Sequence, residues 1–189
     1  MTLRQTSLAT VLLGLFASVG YPQAPAPTFS VQVIGFIVAD FSARIDRYLE
    51  LRRTLEEGLP PLTITDDPAE ILRAESALAK RIRVARDDAK RGDIFTPHIR
   101  AEFRRVLRLE MTPATLKDIM EENPGAFSNG INATYSKEQV LSTMPANILA
   151  LLPTLPDDIQ YRFLGSNLVL HDTRANVILD LIRCAIRCT

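Results

Sequence analysis

The residues of this chain that could do chemistry are few: two histidines, His98 and His171, two cysteines, Cys184 and Cys188, and the carboxylates. His171-Asp172 comes nearest to proton chemistry, since an imidazole beside a carboxylate can act as base or acid. Leu168-Val169-Leu170-His171 reads as a strand, however, and neighbours on a strand point to opposite faces. The two side chains therefore should not pair. Asp172 is expected to cap the following turn and His171 to sit on a sheet face. His98 falls in the first turn of a helix, on a solvated face. No GxSxG elbow, HExxH, CxxC, GxGxxG or GxxxxGK[ST] occurs, and Gly165-Ser166-Asn167 reads as a turn. Two histidines exclude a His-rich metal site. No catalytic residue, metal ligand or cofactor site is assigned.

Three softer signals remain. Paired carboxylates could serve glycosidic hydrolysis, with Glu102, Glu121, Glu122, Asp157 and Asp158 as candidates, but all fall at caps or on charged faces. Cys184 and Cys188 are four apart. On a helix that spacing is poor for a bridge, which leaves a local clasp in an irregular tail, unpaired thiols or an intermolecular disulfide. Positive charge concentrates in the second and third helices, where eleven Lys and Arg face seven acids between residues 70 and 110. Arg83, Arg86, Arg100 and Arg104 are the candidate basic face, for an acidic partner or an anionic polymer.

These residues need elements to hold them. Val31 to Ala39 (VQVIGFIVA) is apolar and β-branched, and fits either a strand or the first turns of the next helix. Asp40 or Ser42 can cap a helix with Phe41, Ile45, Tyr48, Leu49, Arg52 and Leu55 on one face and Gly58 as its stop. Asp67-Pro68-Ala69-Glu70 starts a second helix, burying Ile71, Leu72, Leu78, Ile82 and Ala85 and ending at Lys90-Arg91-Gly92. Thr96-Pro97 starts a third, burying Ile99, Phe103, Val106 and Leu107. Thr112-Pro113 starts a fourth, with Leu116, Ile119 and Met120 inward and a stop at Asn123-Pro124-Gly125. Ala126 to Tyr135 reads as a polar loop. Ser136 with Gln139 offers a capping box, and a further short helix can run from Pro145 to Leu152.

After Pro153 to Asp158 the period changes to that of strands. Gln160 to Phe163, Leu168 to His171 and Val177 to Ile182 would form a meander, with Asn176 left-handed in the second turn. A helix over 177–186 is the rival for the last segment. The expected fold is α+β and predominantly helical: an irregular helical bundle with a small C-terminal antiparallel β-meander.

At 189 residues, 47% apolar and 23% charged, the chain fits one globular domain. Its 22 basic and 22 acidic residues cancel, which argues against a nucleic-acid binder. Arg4 followed by the apolar run Leu8 to Val19 resembles an export signal too short to span a bilayer, with cleavage after Gly20. The expected organisation is a signal at 1–20, a Pro/Ala spacer and apolar lead-in at 21–39, a helical domain at 40–152, and a β-meander with a Cys-bearing tail at 157–189. No membrane span is expected after signal removal.

The segments ARIDRYLELRRTLE, LPPLTITDDPAEI, GDIFTPHIRAEFRRVL and YRFLGSNLVLHDTRANVILDLI resemble a family of uncharacterised exported bacterial proteins, over most of 41–182. That resemblance implies a periplasmic or secreted location and carries no activity. The last segment alone is similar to the C-terminal hairpin of periplasmic nickel/cobalt-homeostasis proteins of the RcnB type; with so few histidines, no metal role is carried over. The function expected is that of an exported, non-enzymatic envelope protein that binds a partner or an anionic polymer. The alternative is a carboxylate-dependent hydrolase of envelope material.

Overall fold

The computed structural model describes residues 28–60, 66–122, 130–135 and 144–186, with side chains from residue 33 onward. The expected signal at 1–20, the Ser136 capping box and Cys188 lie outside the described residues. Five helices and three strands follow in order: α1 (Thr28–Glu57), α2 (Pro68–Ala85), α3 (Pro97–Glu110), α4 (Pro113–Glu122), α5 (Ala146–Leu149), β1 (Ile159–Leu164), β2 (Asn167–Asp172) and β3 (Val177–Ile182). The fold is α+β and helix-rich, closed by an antiparallel meander in the order β1-β2-β3.

The cap-then-proline signals place their helices as the sequence suggests. Asp67 accepts a hydrogen bond from the Ala69 amide at 2.9 Å, and Pro68 supplies the first position of α2. Thr96 caps α3, and Thr112 Oγ1 accepts from the Thr115 amide at 3.1 Å ahead of α4. Pro145 precedes α5 without a side-chain cap, and that helix is a single turn.

Two boundaries differ from expectation. No break occurs at Asp40 or Ser42: α1 is one helix from Thr28, so the helical domain begins twelve residues earlier than position 40, and of the two readings of residues 31–39 the first turns of that helix hold and the strand does not. Asp40 is taken by Arg44 one turn on, at 3.0 Å, and so does not act as a cap. At the other end, α2 stops at Ala85 instead of reaching Lys90-Arg91-Gly92. Arg86 leaves the helical region there, and residues 86–96 form a loop that Asp180 holds from the sheet.

The core lies between the helices and one face of the sheet. Phe41 and Ile45 of α1, Ile82 of α2, Ile99, Phe103 and Leu107 of α3, Ile119 and Ile148 meet Tyr161, Phe163, Leu168, Leu170 and Leu179 from the strands. Phe41 stacks on Phe95 with centroids 5.8 Å apart and on Tyr161 at 6.3 Å, while Phe103 packs 5.2 Å from Phe41. The opposite sheet face carries Leu164, Val169, Ile178 and Leu181, covered by Ile131 and Tyr135. Being buried on both faces explains why β3 reads as an unbroken apolar run around one aspartate and why it mimics a helix pattern. Not every residue expected inward is there: Ile71, Leu72, Ala85 and Met120 are exposed, and Val106 and Leu116 are half-buried. Ile71 and Leu72 sit on the first turn and a half of α2, which overhangs the core that α2 enters at Leu78.

Candidate functional site

Two arrangements stand out, one polar and internal, the other apolar and open. The polar one joins α1 to the sheet. Asp172 ends β2 fully buried. Its Oδ1 accepts from the Arg174 and Ala175 amides at 2.9 and 3.0 Å, capping the turn as expected. Its Oδ2 accepts from Tyr48 Oη at 2.5 Å and from Arg52 Nη1 at 3.1 Å. Arg52 reaches on to Asp158 at 2.9 Å, and Arg174 of the turn meets Glu56 at 2.7 Å. Burial, then the Asp172 carboxylate, pushes the Tyr48 hydroxyl far above its ordinary value. Burial alone would lower Arg52, but Asp172 and Asp158 hold its charge and leave it raised.

Asp180, also fully buried, is saturated by backbone. It accepts from the amides of Gly92 (3.0 Å), Ile94 (2.9 Å), Phe95 (2.7 Å) and Leu181 (2.7 Å). Gly92 sits at φ 101°, a conformation that favours glycine, which lets the loop curl its amides onto the carboxylate. A register shift between Leu170 and His171 turns both Leu179 and Asp180 toward the helices. The sequence alone does not mark Asp180, because a lone acid in a strand carries no partner signal.

His171 and Asp172 point to opposite faces, as the strand spacing requires. The His171 ring packs 5.0 Å from Tyr135, and its Nε2 shares a hydrogen bond with Asn176 Oδ1 at 3.0 Å. Among the described residues its Nδ1 has no hydrogen-bond partner, and burial lowers its pKa. Asn176 adopts φ 50° as expected and donates to Glu75 at 3.0 Å. His98 is exposed.

The four candidate arginines do not share one free face. Arg86 is buried, lies over the Tyr48 ring at 5.3 Å and donates to the Leu179 carbonyl at 3.0 Å; burial lowers its pKa. Arg83 donates to the Asn132 carbonyl at 2.8 Å and to Thr134, Arg104 donates to the Arg183 carbonyl at 2.8 Å, and Arg100 lies beside Gly92. Arg86 thus ties the loop after α2 to β3, while Arg83 and Arg104 tie their helices to the loop at Asn132 and the turn at Arg183. Of the candidate carboxylates, Glu102 is tied to Arg105 (2.9 Å), Glu121 to Lys117 (3.6 Å) and Asp158 to Arg52. Asp157, Glu121 and Glu122 are exposed. Cys184 is disulfide-bonded, with φ 48° in the turn after β3.

The apolar arrangement lies where the N-terminal half of α1 runs past the C-terminal half of α3. A groove of about 240 Å³ is lined by Ile34, Ile37 and Val38 of α1, by Phe103, Val106 and Leu109 of α3, and by Leu151 to Pro153, with Glu102 and Arg105 at its edge. Of its lining, Leu109 is 70% exposed and Leu151 50%, with Ile34 and Val38 also exposed; Val33 and Phe36, the latter 74% exposed, lie on the same stretch of α1 outside that lining. Comparison with protein-family models, curated proteins and solved structures finds no match. The reading of function therefore rests on this geometry. Sequence reasoning located Val31 to Ala39 as an apolar segment but not as a surface, because apolarity alone does not tell a buried turn from an uncovered one. Among the described residues, no group of His, Cys, Asp and Glu could hold a metal ion, and no helix is long and apolar enough to cross a membrane.

Proposed function

We propose that this chain is an exported docking module whose working surface is the apolar pole formed by α1, α3 and residues 151–153. The observation that carries the reading is the clustering of exposed Ile34, Val38, Leu109 and Leu151 along one groove, with Val33 and Phe36 exposed on the same stretch of α1, where isolated exposed apolar residues would need no explanation. An apolar ligand suits the surface better than an anionic polymer, because Arg83, Arg86 and Arg104 each donate to a carbonyl of the same chain. The most buried carboxylates, Asp172 and Asp180, are likewise saturated from within, which fits a structural role rather than a reacting one. Export rests on the leader-like run Leu8 to Val19.

The test is site-specific photocrosslinking in living cells. A photoreactive residue at Leu109 is expected to give adducts that the same residue at Val84, equally exposed at 70% but on α2 outside the groove, does not give. Equal yields at the two positions would refute a privileged pole. Intact mass of the recovered protein checks export: loss of about the first twenty residues is expected, and retention of Met1 in the cytosol would count against it.

A further inference from the structure

We infer that the pole is a lipid-docking surface, on which the N-terminal half of α1 sinks to the boundary of headgroups and acyl chains without crossing the bilayer. The inference rests on the proposed docking role and names its occupant. Three observations favour lipid over a second protein. Val33, Ile34, Gly35 and Phe36 are consecutive on α1 and all exposed. At 100° per residue they sweep about 300° around the helix. A facing protein covers one side of a helix, whereas a surrounding medium covers all of them. Helices apolar all round belong in a protein core or in lipid; among the described residues α3 and residues 151–153 flank this stretch at the groove, while Phe36 stays 74% exposed.

Charge supplies the second observation. From Tyr21 to Ala39 the chain has no charged residue, although it is 23% charged overall. The first ion on α1 is Asp40, which is paired with Arg44. Length is the third. Thr28 to Ala39 spans about 18 Å as helix, enough to be immersed at an interface and too short to cross about 30 Å of hydrocarbon. Leu109 and Leu151, from α3 and the segment after α5, flank that helix at the groove rim and would enter the same layer.

The test is co-sedimentation of the exported chain, from Tyr21 onward, with vesicles of phosphatidylcholine alone and of phosphatidylcholine with phosphatidylglycerol, alongside sedimentation velocity without lipid. Binding to both vesicle types is expected, with little dependence on salt, because the cation lining the groove, Arg105, is paired with Glu102. Phe36→Glu, and separately the double variant Leu109→Glu/Leu151→Glu, should each weaken partition by about tenfold or more. Val84→Glu should leave it unchanged. Leu109 and Leu151 lie outside α1, so the double variant separates a lipid-facing pole from any effect on helix formation. Absence of vesicle binding, or binding that both pole variants leave intact, overturns the inference. If lipid binding is absent but the wild type self-associates and the same variants make it monomeric, the lipid assignment falls while the docking pole stands. If the variants change neither partition nor association, both fall.

Discussion

Helix α1 passes through two environments within thirty residues. Its C-terminal half presents Tyr48 and Arg52 to a fully buried aspartate at the end of β2, and each polar group there is met by another. Over residues 33–39 it presents Val33, Ile34, Phe36 and Val38 to solvent, with Ile37 half-buried. In the first region, polar side chains that usually face water are buried and matched. In the second, apolar side chains that usually seek burial are uncovered. Burying an ion is tolerable only with close partners, so the first region should be intolerant of change. Exposing a valine or a phenylalanine costs the fold little, so the second is free to serve something outside it.

The contrast breaks most visibly at Asp180. Asp180→Ala strips the acceptor from the amides of Gly92, Ile94, Phe95 and Leu181 and frees the loop between α2 and α3. Leaving several buried donors unmet should cost about 4 kcal/mol or more, a large part of an ordinary domain's stability. Urea unfolding followed by far-UV circular dichroism measures it; a midpoint equal to wild type would mean the carboxylate is not the anchor described. Tyr48→Phe is the milder probe. It removes one donor from Asp172 and leaves Arg52 and the two turn amides in place. A loss of about 1 to 3 kcal/mol is expected, and an unchanged stability would show that the hydroxyl adds nothing to the junction.

His171 sharpens the same comparison through pH. Burial lowers its pKa in the folded chain, against the pull of Asn176 and Asp172, so the folded state resists taking a proton that the unfolded state accepts. Its contribution is therefore fully present above the unfolded value of about 6.5 and is lost as pH falls from there toward the lower folded value. Wild-type stability should decline over that interval more steeply than that of His171→Gln. Parallel curves would remove His171 from the account.

Much of this was legible in the sequence where local chemistry decides. Asp67-Pro68, Thr96-Pro97 and Thr112-Pro113 mark real helix starts because a cap and a proline act within one turn. The meander follows from alternation, and Asn176 takes the left-handed turn position that asparagine tolerates. What was not legible depends on partners distant in the chain. Asp40 fails as a cap because Arg44 takes it and α1 runs on to Thr28. Arg86 reads as surface charge until Tyr48 and the Leu179 carbonyl enclose it. The apolar pole needs α1, α3 and residues 151–153 in one place, and only the fold brings them together.

The smallest expected effect on the fold is the one that separates the two halves of α1 most cleanly. Phe36→Ser exchanges residues of similar helix propensity at a position 74% exposed, so unfolding free energy should stay within about 0.5 kcal/mol of wild type. The same truncation one turn further on, Phe41→Ser, removes a ring packed between Phe95, Phe103 and Tyr161 and should cost roughly 3 to 5 kcal/mol. Two positions five residues apart on one helix would then differ by a large part of a domain's stability. Comparable losses at both positions in paired urea titrations would mean that Phe36 is covered by the fold. The pole would then be part of the core, and neither partner nor lipid would have a surface to meet.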